Sequence, residues 1–160
     1  MKDSSNFTPT ERLESIKVGI IAGLSALVTF GFLGLLDLWI SEVLAIDPIL
    51  LTAQSKSGVI LSGMISAVSG FLFGVTYRYI VRTDQNIHLK SGAVVAFGLI
   101  RGLAAYHPSP DAELYSAITI GIGVLGIAES LILFTVAAIA INFAFRWRWL
   151  KPFKSMGEMS

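Results

Sequence analysis

Four long apolar runs divide the chain: Val18–Leu36, Gly58–Tyr77, Gly92–Tyr106 and Tyr115–Phe145. A helix needs roughly 20 apolar residues, at about 1.5 Å of rise each, to cross about 30 Å of hydrocarbon. The first, second and fourth runs are long enough. The third has 15 residues and reaches that length only with its flanks. The pattern predicts an all-α integral membrane four-helix bundle. Its spans lie near 18–36, 58–77, 91–107 and 115–145, between a tail at 1–17 and a basic tail at 146–160.

Between the first two runs stands "LDLWISEVLAIDPILLTAQSKSG". Asp37 and Glu42 argue against a simple continuation through hydrocarbon, while Leu36, Ile40, Val43 and Leu44 keep helical spacing. The segment reads as an interfacial amphipathic helix after the first span, or a bent extension of it, ended near Pro48. Trp39 belongs at headgroup level, and a docking surface for an extramembrane partner is the functional alternative. Upstream, "TPTERLESIK" reads as a helix start. Thr8 or Thr10 is the cap, Pro9 is tolerated in the first turn, and Glu11 and Glu14 suit the positive end of the helix. The first run is too long for a signal-peptide core and reads as a retained anchor.

Composition agrees with the pattern. Hydrophobic residues make up 54% of the 160 and charged residues 14%, against about a quarter charged in soluble domains. There is no cysteine, which excludes disulfides, thiolate metal sites and cysteine nucleophiles. The net charge of +1 matters less than its distribution. Lys2, Arg12 and Lys17 precede the first run. Arg78, Arg82 and Lys90 lie between the second and third, and Arg146, Arg148, Lys151 and Lys154 follow the fourth. Lys56 alone lies between the first and second runs, and no basic residue lies between the third and fourth. The positive-inside rule then predicts four spans with both termini cytoplasmic or stromal, and it requires the short third run to cross.

Small residues recur on helical faces. Gly19 and Gly23 lie four apart in the first run, as do Gly98 and Gly102 in the third. Ser62, Ser66, Gly70 and Gly74 form an i, i+4 stripe in the second. Such faces let helix backbones approach closely, within the bundle or across a homodimer. Aromatic residues stand beside basic ones at run ends. Tyr77 and Tyr79 flank Arg78, with Arg82 following, and "FAFRWRWLKPFK" carries Arg146, Trp147, Arg148, Trp149 and Lys151. These residues suit an aromatic belt over anionic lipid at the cytoplasmic face. Stacking on nucleic acid is the disfavoured alternative.

Two ionisable residues lie at depth. Arg101 is about ten residues, near 15 Å, from one side. Glu129 is about 12–14 residues, roughly 18–21 Å, from the other. In a membrane about 30 Å thick these depths nearly coincide, so an Arg101–Glu129 ion pair between consecutive antiparallel helices is expected. Its structural reading is register and partner choice. The functional readings are an ion or proton path, a ligand anchor or a pigment site, although "GIAESLILF" around Glu129 carries no wider light-harvesting motif.

No catalytic or metal chemistry is legible. His88 and His107 flank the third run about 28 Å apart by helical rise. There is no nucleophile elbow, and "GIGVLG" (Gly121–Gly126) lies inside an apolar run with no strand before it, so it reads as packing. No cofactor, metal or enzyme activity is expected.

"GFLFGVTYRYIVRTDQN" (70–86) and "AFGLIRGLA" (96–104) resemble a family of small multi-pass membrane proteins found in cyanobacteria and chloroplasts. The resemblance implies a thylakoid or plasma membrane and brings no activity or catalytic residues with it. The expected function is non-enzymatic: an accessory, assembly or scaffold protein of a larger membrane complex, photosynthetic on that resemblance, with a membrane-protein partner or a second copy. A small transporter or channel component using Arg101 and Glu129 is the alternative.

Overall fold

A computed structural model describes residues 9–44, 56–81, 87–105, 117–147 and 149. Helices make up nearly all of it: α1 (Pro9–Leu44), α2 (Lys56–Ile80), α3 (Ile87–Ala105) and α4 (Ala117–Arg146). The chain is an all-α membrane bundle. Three helices are long and apolar enough to cross a membrane, over Glu11–Val43, Ser57–Ile80 and Ile120–Arg146. α3 has 19 residues, about 28 Å by helical rise, and it interrupts its apolar run with Arg101.

α1 opens on Pro9 with Glu11 in its first turn. A proline is tolerated at the first helical position, whose N–H has no helical partner, and an acidic residue in the first turn suits the positive end of the helix. The helix then continues without interruption through Asp37 and Glu42 to Leu44. Among the described residues no separate interfacial helix follows the first span: Leu36–Leu44 is the last part of a 36-residue helix, about 54 Å long. No glycine or proline falls between Leu35 and Leu44. A continued helix keeps every backbone group paired, which matters most near hydrocarbon. Leu38, Trp39, Ile40 and Val43 are exposed on this extension. Pro48 lies outside the described residues.

The bundle is built from two close antiparallel pairs, α1 with α2 and α3 with α4. α1 also packs on α4, whereas α2 meets α3 and α4 only loosely and α1 does not touch α3. Small residues set the tight spacing. A Cβ placed on Gly70 would stand 2.5 Å from Ala26 Cβ and 2.9 Å from the Ala22 carbonyl oxygen. On Gly74 it would stand 2.5 Å from Ala22 Cβ and 2.8 Å from the Val18 oxygen. Gly19 faces Phe71 and Gly23 faces the Ala67 carbonyl. In the other pair Gly98 faces Leu131 and Gly102 faces Ile127, with backbone atoms at 3.1 and 2.6 Å from the notional Cβ.

Inside, an aromatic cluster joins three helices. Phe73 of α2 lies 5.4 Å edge-on from Phe97 of α3 and 5.1 Å from Phe134 of α4. Phe97 and Phe134 are 5.7 Å apart. Such tilted and edge-to-face contacts suit the ring quadrupoles. The rest of the buried set is mostly small: Val18, Ala22, Ala26, Ala93, Ala137, Ala138 and Ala144. The outer surface is the reverse, with Leu24, Val28, Phe32, Ile60, Met64, Val68, Ile100, Leu103, Val124 and Ile139 all exposed. Water would not tolerate an apolar exterior of that extent, whereas hydrocarbon does. Between helices in lipid, close van der Waals packing takes over from hydrophobic transfer.

Gly70→Ala therefore forces a methyl against Ala22 and Ala26, and is expected to destabilise the bundle by about 1–3 kcal/mol. Gly31→Ala places the same methyl in open space and is expected to be neutral, or stabilising by up to about 1 kcal/mol through helix propensity. Unfolding of both variants in one detergent distinguishes the two responses.

Candidate functional site

Polar side chains inside an apolar bundle need partners within it. The serines and threonines solve this locally. Thr29 Oγ1 donates to the Ser25 carbonyl at 2.8 Å, and Thr135 Oγ1 to the Leu131 carbonyl at 2.7 Å. Ser66 Oγ donates to the Ser62 carbonyl at 2.8 Å, and Ser130 Oγ to the Gly126 carbonyl at 2.9 Å. A hydroxyl has one proton, so this back-bonding leaves each oxygen free to accept.

Arg101 uses two of those oxygens. From α3 its Nη1 donates to Ser130 Oγ on α4 at 3.0 Å, and its Nη2 donates to Ser66 Oγ on α2. A guanidinium carries five N–H donors and no acceptor. Back-bonded serines present the complementary oxygens. The side chain thus bridges the α2–α3 gap and ties both helices to α4. Its Nε is buried and has no hydrogen-bond partner among the described residues.

The expected ion pair is not formed. No hydrogen bond or ion contact joins Arg101 to Glu129 among the described residues. The depth estimate placed the two residues at the same level, and Arg101 reaches the very next residue of α4. Adjacent helical residues differ by about 100° in direction, and it is Ser130 that points into the bundle. Ser130 is buried, whereas Glu129 is only partly so. Glu129 makes no hydrogen bond with any described residue. It still acts on Arg101 through space as an opposite charge, and Asp37 of α1 acts on it as a like charge.

A second arginine repeats the arrangement at the end of the bundle holding the α1 N-terminus and the α2 C-terminus. Arg78, only 2% exposed, donates Nη1 to Ser15 Oγ and, at 2.8 Å, to the Glu11 carbonyl. Ser15 donates in turn to the same Glu11 carbonyl at 3.1 Å. Tyr77, also 2% exposed, accepts from Asn142 Nδ2 of α4 at 3.1 Å. Both residues were expected at a lipid headgroup. They instead turn inward and fasten α2 to α1 and to α4, while Tyr79 points out. The string "YRY" gives no direction by itself. The spacing of Arg78 from Gly70 and Gly74, which face α1, was the available signal.

Other expected interface residues do lie outside. Trp39, Trp147, Trp149 and Arg146 are exposed. Trp147 packs at a tilt against Phe143, ring centres 4.4 Å apart, and meets Trp149 edge-on at 5.7 Å. Arg82, Arg148, Lys151 and His107 lie outside the described residues. His88 is exposed near the start of α3. Among the described residues no three His, Cys, Asp or Glu side chains gather where a metal ion would sit. Comparison with protein families, with curated proteins and with solved structures gives no match.

Hydrogen bonds to charged groups contribute about 1.5–3 kcal/mol each. Ser66→Ala and Ser130→Ala are each expected to lose that much in detergent unfolding. Thr135→Ala removes an exposed hydroxyl bonded only within its own helix and is expected to change stability by less than about 0.5 kcal/mol. At the other clasp, Arg78→Met is expected to raise amide hydrogen exchange across the first two turns of α1, and Arg146→Met to leave it unchanged.

Proposed function

We propose that this chain is a non-enzymatic integral membrane protein serving as an accessory, assembly or scaffold subunit of a larger membrane complex. The observation that carries the reading is where the polar groups between the helices go. Arg101, Arg78, Ser66, Ser130, Ser15, Tyr77 and Asn142 are all engaged in holding helix to helix. A side chain committed to a structural contact is a poor candidate for turnover. The exterior offers long apolar helix faces to a partner helix, and α1 extends them well past the thickness of the hydrocarbon.

In this reading all four helices cross, with both termini on the cytoplasmic or stromal face. The distribution of lysine and arginine supports that orientation. Arg146 and the exposed Trp147 and Trp149 then rest on anionic lipid, and the resemblance favours a thylakoid or plasma membrane. The second reading, a small transporter or channel component, draws on one observation: Glu129 is partly exposed and without a hydrogen bond close to Arg101.

Affinity purification in mild detergent, with mass spectrometry and an absorption spectrum, separates the readings. Defined membrane subunits co-purifying in fixed proportion are the expected result. A lone protein or homo-oligomer, free of subunits and pigment, would sink the scaffold reading and favour transport.

A further inference from the structure

Two groups in the middle of the bundle are left incomplete beside one another. Arg101 Nε is a buried N–H donor without an acceptor. Glu129 has an acceptor-rich carboxyl without a donor among the described residues. They belong to adjacent surfaces, because Glu129 is the chain neighbour of Ser130, whose Oγ lies 3.0 Å from Arg101 Nη1. The flexible glutamate side chain has three rotatable bonds. Glu129 is near enough to Arg101 for the two to act on one another as opposite charges.

The surrounding charges are few. Arg101 acts on Glu129 from α3 with opposite sign and Asp37 acts from α1 with like sign. α2 adds no charge that acts on it and contributes the neutral Ser66 to Arg101 instead. A carboxylate at this depth, unpaired, is strongly disfavoured in hydrocarbon. Two stable arrangements remain: a neutral, protonated acid, or an anion hydrogen-bonded to the guanidinium.

We propose that Glu129 is a proton-binding site of the membrane interior, with its ionised carboxylate docking on the vacant Arg101 Nε and its protonated form releasing it. The step is a simple protonation: a proton from solvent joins the carboxylate oxygen, and the hydrogen bond from Nε to that oxygen is lost. Arg101 remains charged throughout and keeps Ser66 and Ser130. This site does not depend on the scaffold reading, because a proton-sensitive clasp serves either an assembly subunit or a transporter.

The test is infrared titration of the purified full-length protein in detergent, following the carbonyl stretch of a protonated carboxylic acid. Subtracting the spectra of Glu129→Gln isolates this one group. The expected result is a band present at low pH that disappears as pH rises. Arg101→Lys keeps a positive charge but removes the Nε donor. It is expected to move the midpoint upward by about one unit, a tenfold rise in proton affinity. Ser130→Ala frees Nη1 as a second donor to the carboxylate and is expected to move the midpoint downward. It stands in for Arg101→Lys if that variant does not fold. A band missing at every pH, or a midpoint that neither substitution moves in the stated direction, overturns the proposal.

Discussion

Hydrocarbon cannot hydrogen-bond, and that single constraint arranges the interior of this protein. A guanidinium at depth costs at least about 2.5 kcal/mol on insertion scales, so Arg101 must find acceptors among neighbouring helices. Carboxylates are not what it finds. Two serines, each donating its proton to a carbonyl of its own helix, offer oxygens of the right sense from opposite sides. Arg78 meets the same need with Ser15 and a carbonyl at the α1 N-terminus. A neutral hydroxyl is weaker than a carboxylate as a partner for a cation. It also has much less to lose on desolvation, which suits a site surrounded by lipid-facing helices.

The clasps and the glycine contacts hold different parts of the bundle. Gly70 and Gly74 bring α1 and α2 into backbone contact, and Gly98 and Gly102 do so for α3 and α4. Those contacts make two pairs. What keeps the pairs together across the looser α2–α3 side is the Phe73–Phe97–Phe134 cluster and, at another level, the Arg101 side chain. Dispersion sets the spacing within pairs, and a few directional bonds set the register between them. Arg101 spans a side of the bundle where helix packing is loose.

Apolar run length marked the elements because spanning a bilayer is a one-dimensional requirement. Small-residue spacing marked the faces of close approach for a related reason: four residues return a helix to nearly the same side, so Ser62, Ser66, Gly70 and Gly74 were bound to share a stripe. The extension of α1 to Leu44 was harder to read. Asp37 and Glu42 suggested an exit from the hydrocarbon, but a charge near the end of a span does not break a helix that lacks glycine and proline. Tyr77 and Arg78 misled in a similar way, since an aromatic next to a base is common at membrane interfaces and these two happen to face inward.

The sequence by itself determined the class of molecule, its four helices, and the shared level of Arg101 and Glu129 along their helices, because each of these follows from length and rise along one axis. Only the tertiary structure decided direction around that axis. Arg101 meets α4 at the expected level, yet a rotation of one residue gives the contact to Ser130 and leaves Glu129 beside it. Which side of a helix faces its neighbour depends on how all four pack together, and no count along the chain contains that angle.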